Sequence, residues 1–226
     1  MDDESCERQE RLLSEKRDAL GEDHSETLTA MLDLADCLWQ QGRLTSARSL
    51  EEHVVAGRRR LLGEQHAETL KAVGKLAVTM AAQGELAEAR LLQEQVVAGR
   101  CSLYGGTDLE TLRAINNLAG TVASQGDLDT ARELLESVVA TTCRELGEQH
   151  ADTLLAMANL AAVLWQQGDR AEAYALQHHV VEVHRLVRGD SDQAALAATA
   201  VLEMMQRDTG LSHCRSVGYA VSRARK

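Results

Sequence analysis

The sequence predicts an all-α fold, a right-handed superhelical solenoid of antiparallel helix pairs with roughly ten helices. Three observations carry the prediction. Gly21, Gly63, Gly105, Gly147 and Gly189 each follow the last by 42 residues. The pairs Gln41-Gly42, Gln83-Gly84, Gln125-Gly126 and Gln167-Gly168, then Thr209-Gly210, keep the same step. Between these glycines the apolar residues recur at helical spacing, in a chain without proline, so nothing in it must break a helix.

The elements follow in order. Residues 4–20 align with the second helix of later units, with Leu12 and Leu13 over Val54 and Val55, and are expected to form a lone helix. In the first full unit, residues 21–62, helix A spans about 26–40, where Leu28, Met31, Leu34, Ala35 and Leu38 make one stripe. Gly42 stops it, because a left-handed residue there costs glycine no steric penalty. Helix B spans about 44–62, with Leu44, Ala47, Leu50, Val54, Val55, Arg58 and Leu61 on one face, and Gly63 ends it. Units 63–104, 105–146 and 147–188 repeat the pattern without insertion. Ala47, Ala89, Ala131 and Ala173 form a column of small residues that lets helices approach closely. Asp127 and Asp169 are expected to cap helix B. Glu26, Glu68, Glu110 and Asp152 lie in the first turn of helix A, where the helix dipole favours a carboxylate. Residues 189–210 read as a capping helix, since Glu203, Gln206 and Arg207 replace core positions with polar ones. Residues 1–210 thus read as one solenoid domain, and 211–226, with Arg215, Arg223, Arg225 and Lys226, as a basic tail.

Composition narrows the class of function. The net charge of −11 and the lack of a basic face before the tail argue against nucleic acid. No apolar run approaches the ~20 residues of a membrane span. The acidic start, Met1-Asp2-Asp3-Glu4, does not resemble a secretion signal. Five scattered cysteines without a CxxC pair suggest free thiols in a reducing cytoplasm.

The motif L-G-x-x-H-x-x-T-L … N-L-A … Q-G is clearest in Leu146-Gly147-Glu148-Gln149-His150-Ala151-Asp152-Thr153-Leu154 … Asn159-Leu160-Ala161 … Gln167-Gly168. It resembles the long tetratricopeptide repeat (TPR) of kinesin light chains and related signalling modules, over residues 4–210. The family's proline after the repeat histidine is absent: Ser25, Ala67, Leu109 and Ala151 stand there. The resemblance implies a binding groove lined by helix A, in which Asn117 and Asn159 would hold the backbone of an extended peptide. Outward columns of helix A add Lys71, Lys75, Arg113, Asp33, Gln40 and Gln166 as candidate contacts. Lys71, Lys75 and Arg113 form a basic patch suited to an acidic peptide.

Other clusters carry less. His24, His66 and His150 share a column, but helices ~8–10 Å apart cannot bring equivalent side chains to one metal. His178, His179, Glu182 and His184 share a helix without an HExxH pattern. Cys101 and Cys143 are repeat equivalents without a histidine beside them in sequence, and read as inert. Trp39 and Trp165 occupy one column and read as core fillers. No metal or cofactor is called for. The expected function is an interaction module or adaptor for a protein or peptide. The alternative is the ligand-sensing region of a larger signalling ATPase or regulator, whose nucleotide site would lie outside this chain; an enzyme built on the solenoid is a third reading.

Overall fold

The computed structural model describes residues 3–189 and 191–209. They form ten helices and no strand: α1 Asp3–Leu20, α2 Ser25–Gln40, α3 Leu44–Leu62, α4 Ala67–Ala82, α5 Leu86–Tyr104, α6 Leu109–Ser124, α7 Leu128–Leu146, α8 Ala151–Gln167, α9 Arg170–Arg188 and α10 Gln193–Thr209. Two compact units are present, Met1–Asn117 and Leu118–Lys226. The expected basic tail and Cys214 lie outside the described residues.

In the first unit α1 to α5 pack each on the next. Leu28, Met31, Ala35 and Leu38 of α2 meet Ala47, Val54 and Val55 of α3, with Val73 and Leu76 of α4 and Val96 of α5 continuing the core. Ala47 and Ala89 are fully buried, as their small size requires where helices approach closely. In the second unit α7 packs on α8, α8 on α9 and α9 on α10. Tyr174, Val181, Leu202 and Met205 form a cluster there, joined by Trp165 and Ala198.

The repeat motif is a turn followed by a helix cap. Gly63 and Gly147 end helices at φ of 86° and 88°, a region that side chains with a Cβ avoid. Thr27 Oγ1 donates to the Gly21 carbonyl at 2.7 Å, and Thr153 Oγ1 to that of Gly147 at 2.9 Å. The histidine column caps helix A. His24, His66 and His150 each accept through Nδ1 from the amide two residues on, at 3.3, 3.2 and 3.2 Å. Where the column holds aspartate, the carboxylate takes two amides: Asp108 from Glu110 and Thr111, Asp192 from Ala194 and Ala195.

The Gln-Gly column is tied to the preceding helix B. Arg48 donates through Nη1 to Gln83 Oε1 at 3.0 Å and Glu85 Oε1 at 2.6 Å. Arg132 repeats this with Gln167 and Asp169, at 3.4 and 2.8 Å. That engagement corrects one expectation: the Asp169 carboxylate serves Arg132, and α9 starts without a side-chain cap bond. Asp127 caps α7 as expected, accepting from the Thr130 amide at 3.3 Å.

Three further expectations change. Cys6 and Cys37 form a disulfide joining α1 to α2, with Cα atoms 5.6 Å apart, so the five thiols are not all free. The docking of α1 on α2 brings these two distant positions together. Trp39 is not a core filler, because 41 % of its surface stays exposed near the end of α2. On α10 Gln206 turns inward and donates to the Tyr174 hydroxyl at 2.7 Å, whereas Glu203 and Arg207 face solvent.

Candidate functional site

Helix A of the first unit presents its outward columns at fixed register, and α2, α4 and α6 thereby line a groove of about 770 Å³. Lys71 and Lys75 project from α4, Arg113 and Asn117 from α6, and Asp36 and Trp39 from α2. Helix B supplies the deeper lining through Glu51 of α3 and Gln93, Val96 and Arg100 of α5, with Tyr104 of α5 exposed at the edge. Gly74, which stands where α2 has Leu32, keeps the middle open: a Cβ there would meet only Val96 methyls, at 3.8 and 4.0 Å.

Lys75, Arg100 and Arg113 of the groove are engaged with neighbouring acids. Lys75 Nζ contacts both carboxylate oxygens of Asp36, at 2.6 Å from Oδ2. Arg113 and Arg100 both donate to Glu110, at 2.6 and 3.1 Å. With Asp36, Glu51, Glu68, Asp108 and Glu110 against Lys71, Lys75, Arg100 and Arg113, the lining carries five acids and four bases. It is a mixed surface and not a bare cationic one.

The Glu51 carboxyl is 2 % exposed. Its Oε1 accepts from the Thr79 hydroxyl at 3.0 Å, and its Oε2 is buried without a hydrogen-bond partner. Burial pushes this carboxyl above the usual range, against the Thr79 hydrogen bond and the charge of Lys75, which pull it down. Gln93, one repeat further on and 3 % exposed, has a buried Oε1 that also accepts nothing.

A smaller pocket of about 330 Å³ lies beside Leu12, Asp33, Leu61 and Leu62. Arg58 forms its wall, nearly buried, donating to the Glu68 carbonyl at 2.9 Å and pairing with the Glu68 carboxylate at 3.1 Å.

The tetratricopeptide-repeat family matches residues 27–68, 69–108 and 110–185, which is most of the chain. The chain belongs to that family. Repeats of this kind generally serve protein–protein interaction. The fold is shared with a Podosopora anserina protein described as kinesin light chain nearly identical TPR-like repeats. Two of its crystal structures superpose with TM-scores of 0.67 and 0.65 at 29 % identity, covering 82 % of this chain and 87 and 88 % of theirs. BtubC (BKLC) from P. vanneervenii has the same fold, with a TM-score of 0.64 at 17 % identity over 94 % of this chain and 91 % of that one. The repeats are thus of the kinesin-light-chain type. No curated protein matches the chain.

Within this repeat protein the sequence-derived candidates separate. Lys71, Lys75, Arg113 and Asn117 share the groove of the first unit. Asp33 lies in the smaller pocket. Gln40 is exposed at the end of α2 and lines neither. Asn159, half-buried, and Gln166, exposed, belong to α8 in the second unit. Sequence reasoning missed Glu51, Gln93, Arg100 and Tyr104. A signal for Glu51 existed: it lies four residues after Ala47 and three before Val54, inside the apolar stripe of helix B.

In the histidine cluster, His179 lies 3.8 Å from Glu148 and the His178 ring 6.1 Å from that of Tyr174. Among the described residues no group of ligands is arranged to hold a metal, and no helix is long and apolar enough to cross a membrane. Cys101 is exposed. Cys143 is half-buried, and burial pushes its thiol up, so it is a poor nucleophile.

Proposed function

We propose that this chain is a protein-interaction module, an adaptor without catalytic chemistry, and that the groove of its first unit binds an extended segment of a partner protein. The observation that carries this reading is the open channel at Gly74, walled by Lys71 and Asn117 and flanked by exposed Trp39 and Tyr104. Amides such as Asn117 can hold a peptide backbone irrespective of its side chains, while aromatic faces supply contact area at low entropy cost. Asn159 and Gln166 are proposed as similar contacts of the second unit in their own right. An acidic segment loses the support a bare lysine–arginine patch would have given, because Lys75 and Arg113 already serve Asp36 and Glu110. A cytoplasmic setting remains part of the proposal on grounds of composition. The Cys6–Cys37 bond stands against a strictly reducing one.

The test is capture of partners on the immobilised chain, followed by affinity measurement with the captured protein. Asn117→Ala combined with Lys71→Ala should weaken binding roughly tenfold, the scale of one or two lost polar contacts, with the thermal midpoint unchanged. Full affinity in the double variant would remove the groove from the account.

A further inference from the structure

The deep lining of the groove carries a demand that its walls do not meet. Glu51 Oε2 is a carboxylate oxygen buried with no donor. Such a group loses its hydration without compensation, and charged groups lose most. Its neighbours cannot supply the missing proton donor as they stand: Thr79 is committed to Oε1, and Lys75 to Asp36. Gln93 Oε1 repeats the deficiency one repeat on. Arg100 Nε is a buried donor without a partner, but the same guanidinium is held by Glu110 through Nη1. The channel above is apolar where a side-chain stem would lie, along Val78 and Val96, and is left open by Gly74.

We propose that Glu51 is the anchor for a basic side chain, an arginine or lysine of the bound segment, whose N–H donors reach the floor of the groove while its methylenes lie on Val78 and Val96. This rests on the peptide-binding reading above and specifies its chemistry. A charge-assisted bond to a buried carboxylate is stronger than a neutral one, and long basic side chains readily bury their stems on apolar surface. The incoming cation also offsets the charge that burial disfavours on Glu51.

The experiment selects random linear peptides on the full chain by phage display, then measures synthetic binders by fluorescence anisotropy. The wild type is compared with Glu51→Gln and with Gly74→Leu. The leucine fills the channel, and the helical position accepts it, since Leu32 occupies the equivalent site of α2. Groove-dependent binders should share one arginine or lysine position. Replacing that arginine with citrulline, of equal shape but uncharged, should weaken binding by roughly tenfold or more, the scale of one charge-assisted hydrogen bond. Glu51→Gln should cost about the same, and the two losses should not add. Exchange of arginine and lysine at that position tells which cation fits. Binders abolished by Gly74→Leu yet indifferent to Glu51→Gln and to citrulline overturn this inference and leave the groove reading standing. Binders indifferent to Gly74→Leu, or no binder at all, overturn the groove reading and this inference with it. The citrulline comparison leaves the protein untouched, so it decides the matter even if Glu51→Gln misfolds.

Discussion

Gly99 offers a sharp test of how tightly the repeats are packed. It lies inside α5 with ordinary helical dihedrals, so alanine there should gain about 1 kcal/mol of helix propensity. The new Cβ would stand 2.8 and 2.9 Å from the two methyls of Leu70 and 3.0 Å from Gln65 Oε1. Carbon atoms rest at about 3.5–4.0 Å, so Leu70 must retreat by most of an ångström. It is fully buried and has little room to do so, and forced overpacking costs about 1–3 kcal/mol. Gly99→Ala should therefore destabilise the protein by about 1 kcal/mol net. In a Leu70→Ala background the obstructing methyls are gone, and the same change should stabilise by about 1 kcal/mol, a coupling of about 2 kcal/mol. Gly74→Ala and Gly120→Ala are the controls, since their Cβ atoms meet no atom closer than 3.8 Å; both should raise stability. The assay is urea unfolding followed by far-ultraviolet circular dichroism. An equal gain from Gly99→Ala in both backgrounds would refute the reasoning, for it would mean that Leu70 moves aside freely.

Other positions give independent expectations. Ala131, fully buried on α7, should not accept leucine, and Ala131→Leu should lower stability by about 1–3 kcal/mol in the same urea assay; an unchanged midpoint refutes the packing. His66→Asp should stabilise by about 0.5–1 kcal/mol, because aspartate caps better and suits the helix dipole, as Asp108 already shows by taking two amides. Thermal unfolding reads the result, and a loss of stability overturns the capping role. Glu51 gives a pH dependence. Burial raises its folded pKa, so the penalty is absent below the unfolded value of about 4.3 and grows as pH rises through the folded one. Glu51→Gln should thus stabilise at neutral pH and lose its advantage in acid, as paired melting curves across that range would record. An advantage that does not change with pH would refute it.

The repeat was legible in the sequence because the turn glycines recur at one unvarying step of 42 residues. The loop that Thr27 closes onto Gly21 returns three steps of 42 residues on, where Thr153 closes onto Gly147. Helix limits were legible for the same reason: 44–62 was expected and α3 is Leu44–Leu62. The outward wall of the groove also followed from register, since Lys71, Lys75, Arg113 and Asn117 sit on helix A columns. What escaped was anything that depends on one repeat meeting the next. Lys75 finds Asp36, 39 residues away, and Arg48 finds Glu85, 37 residues away; neither pair shares a helix. Glu51 escaped because a carboxyl in an apolar stripe reads as solvent-facing until the helices around it are assembled. The Cys6–Cys37 bond needed the docking of α1 on α2, which spacing alone does not reveal.

That bond changes how the protein carries load. A pull on the start of the chain would, without it, strip α1 from α2 one contact at a time. With it, tension entering at Cys6 passes straight to Cys37, and the 31-residue separation between them is shielded, withholding roughly 110 Å of contour from extension. Pulled from this end, the protein transmits force as a stiff link into the middle of its first repeat. Reducing the bond exposes that same stretch to extension before tension reaches Cys37.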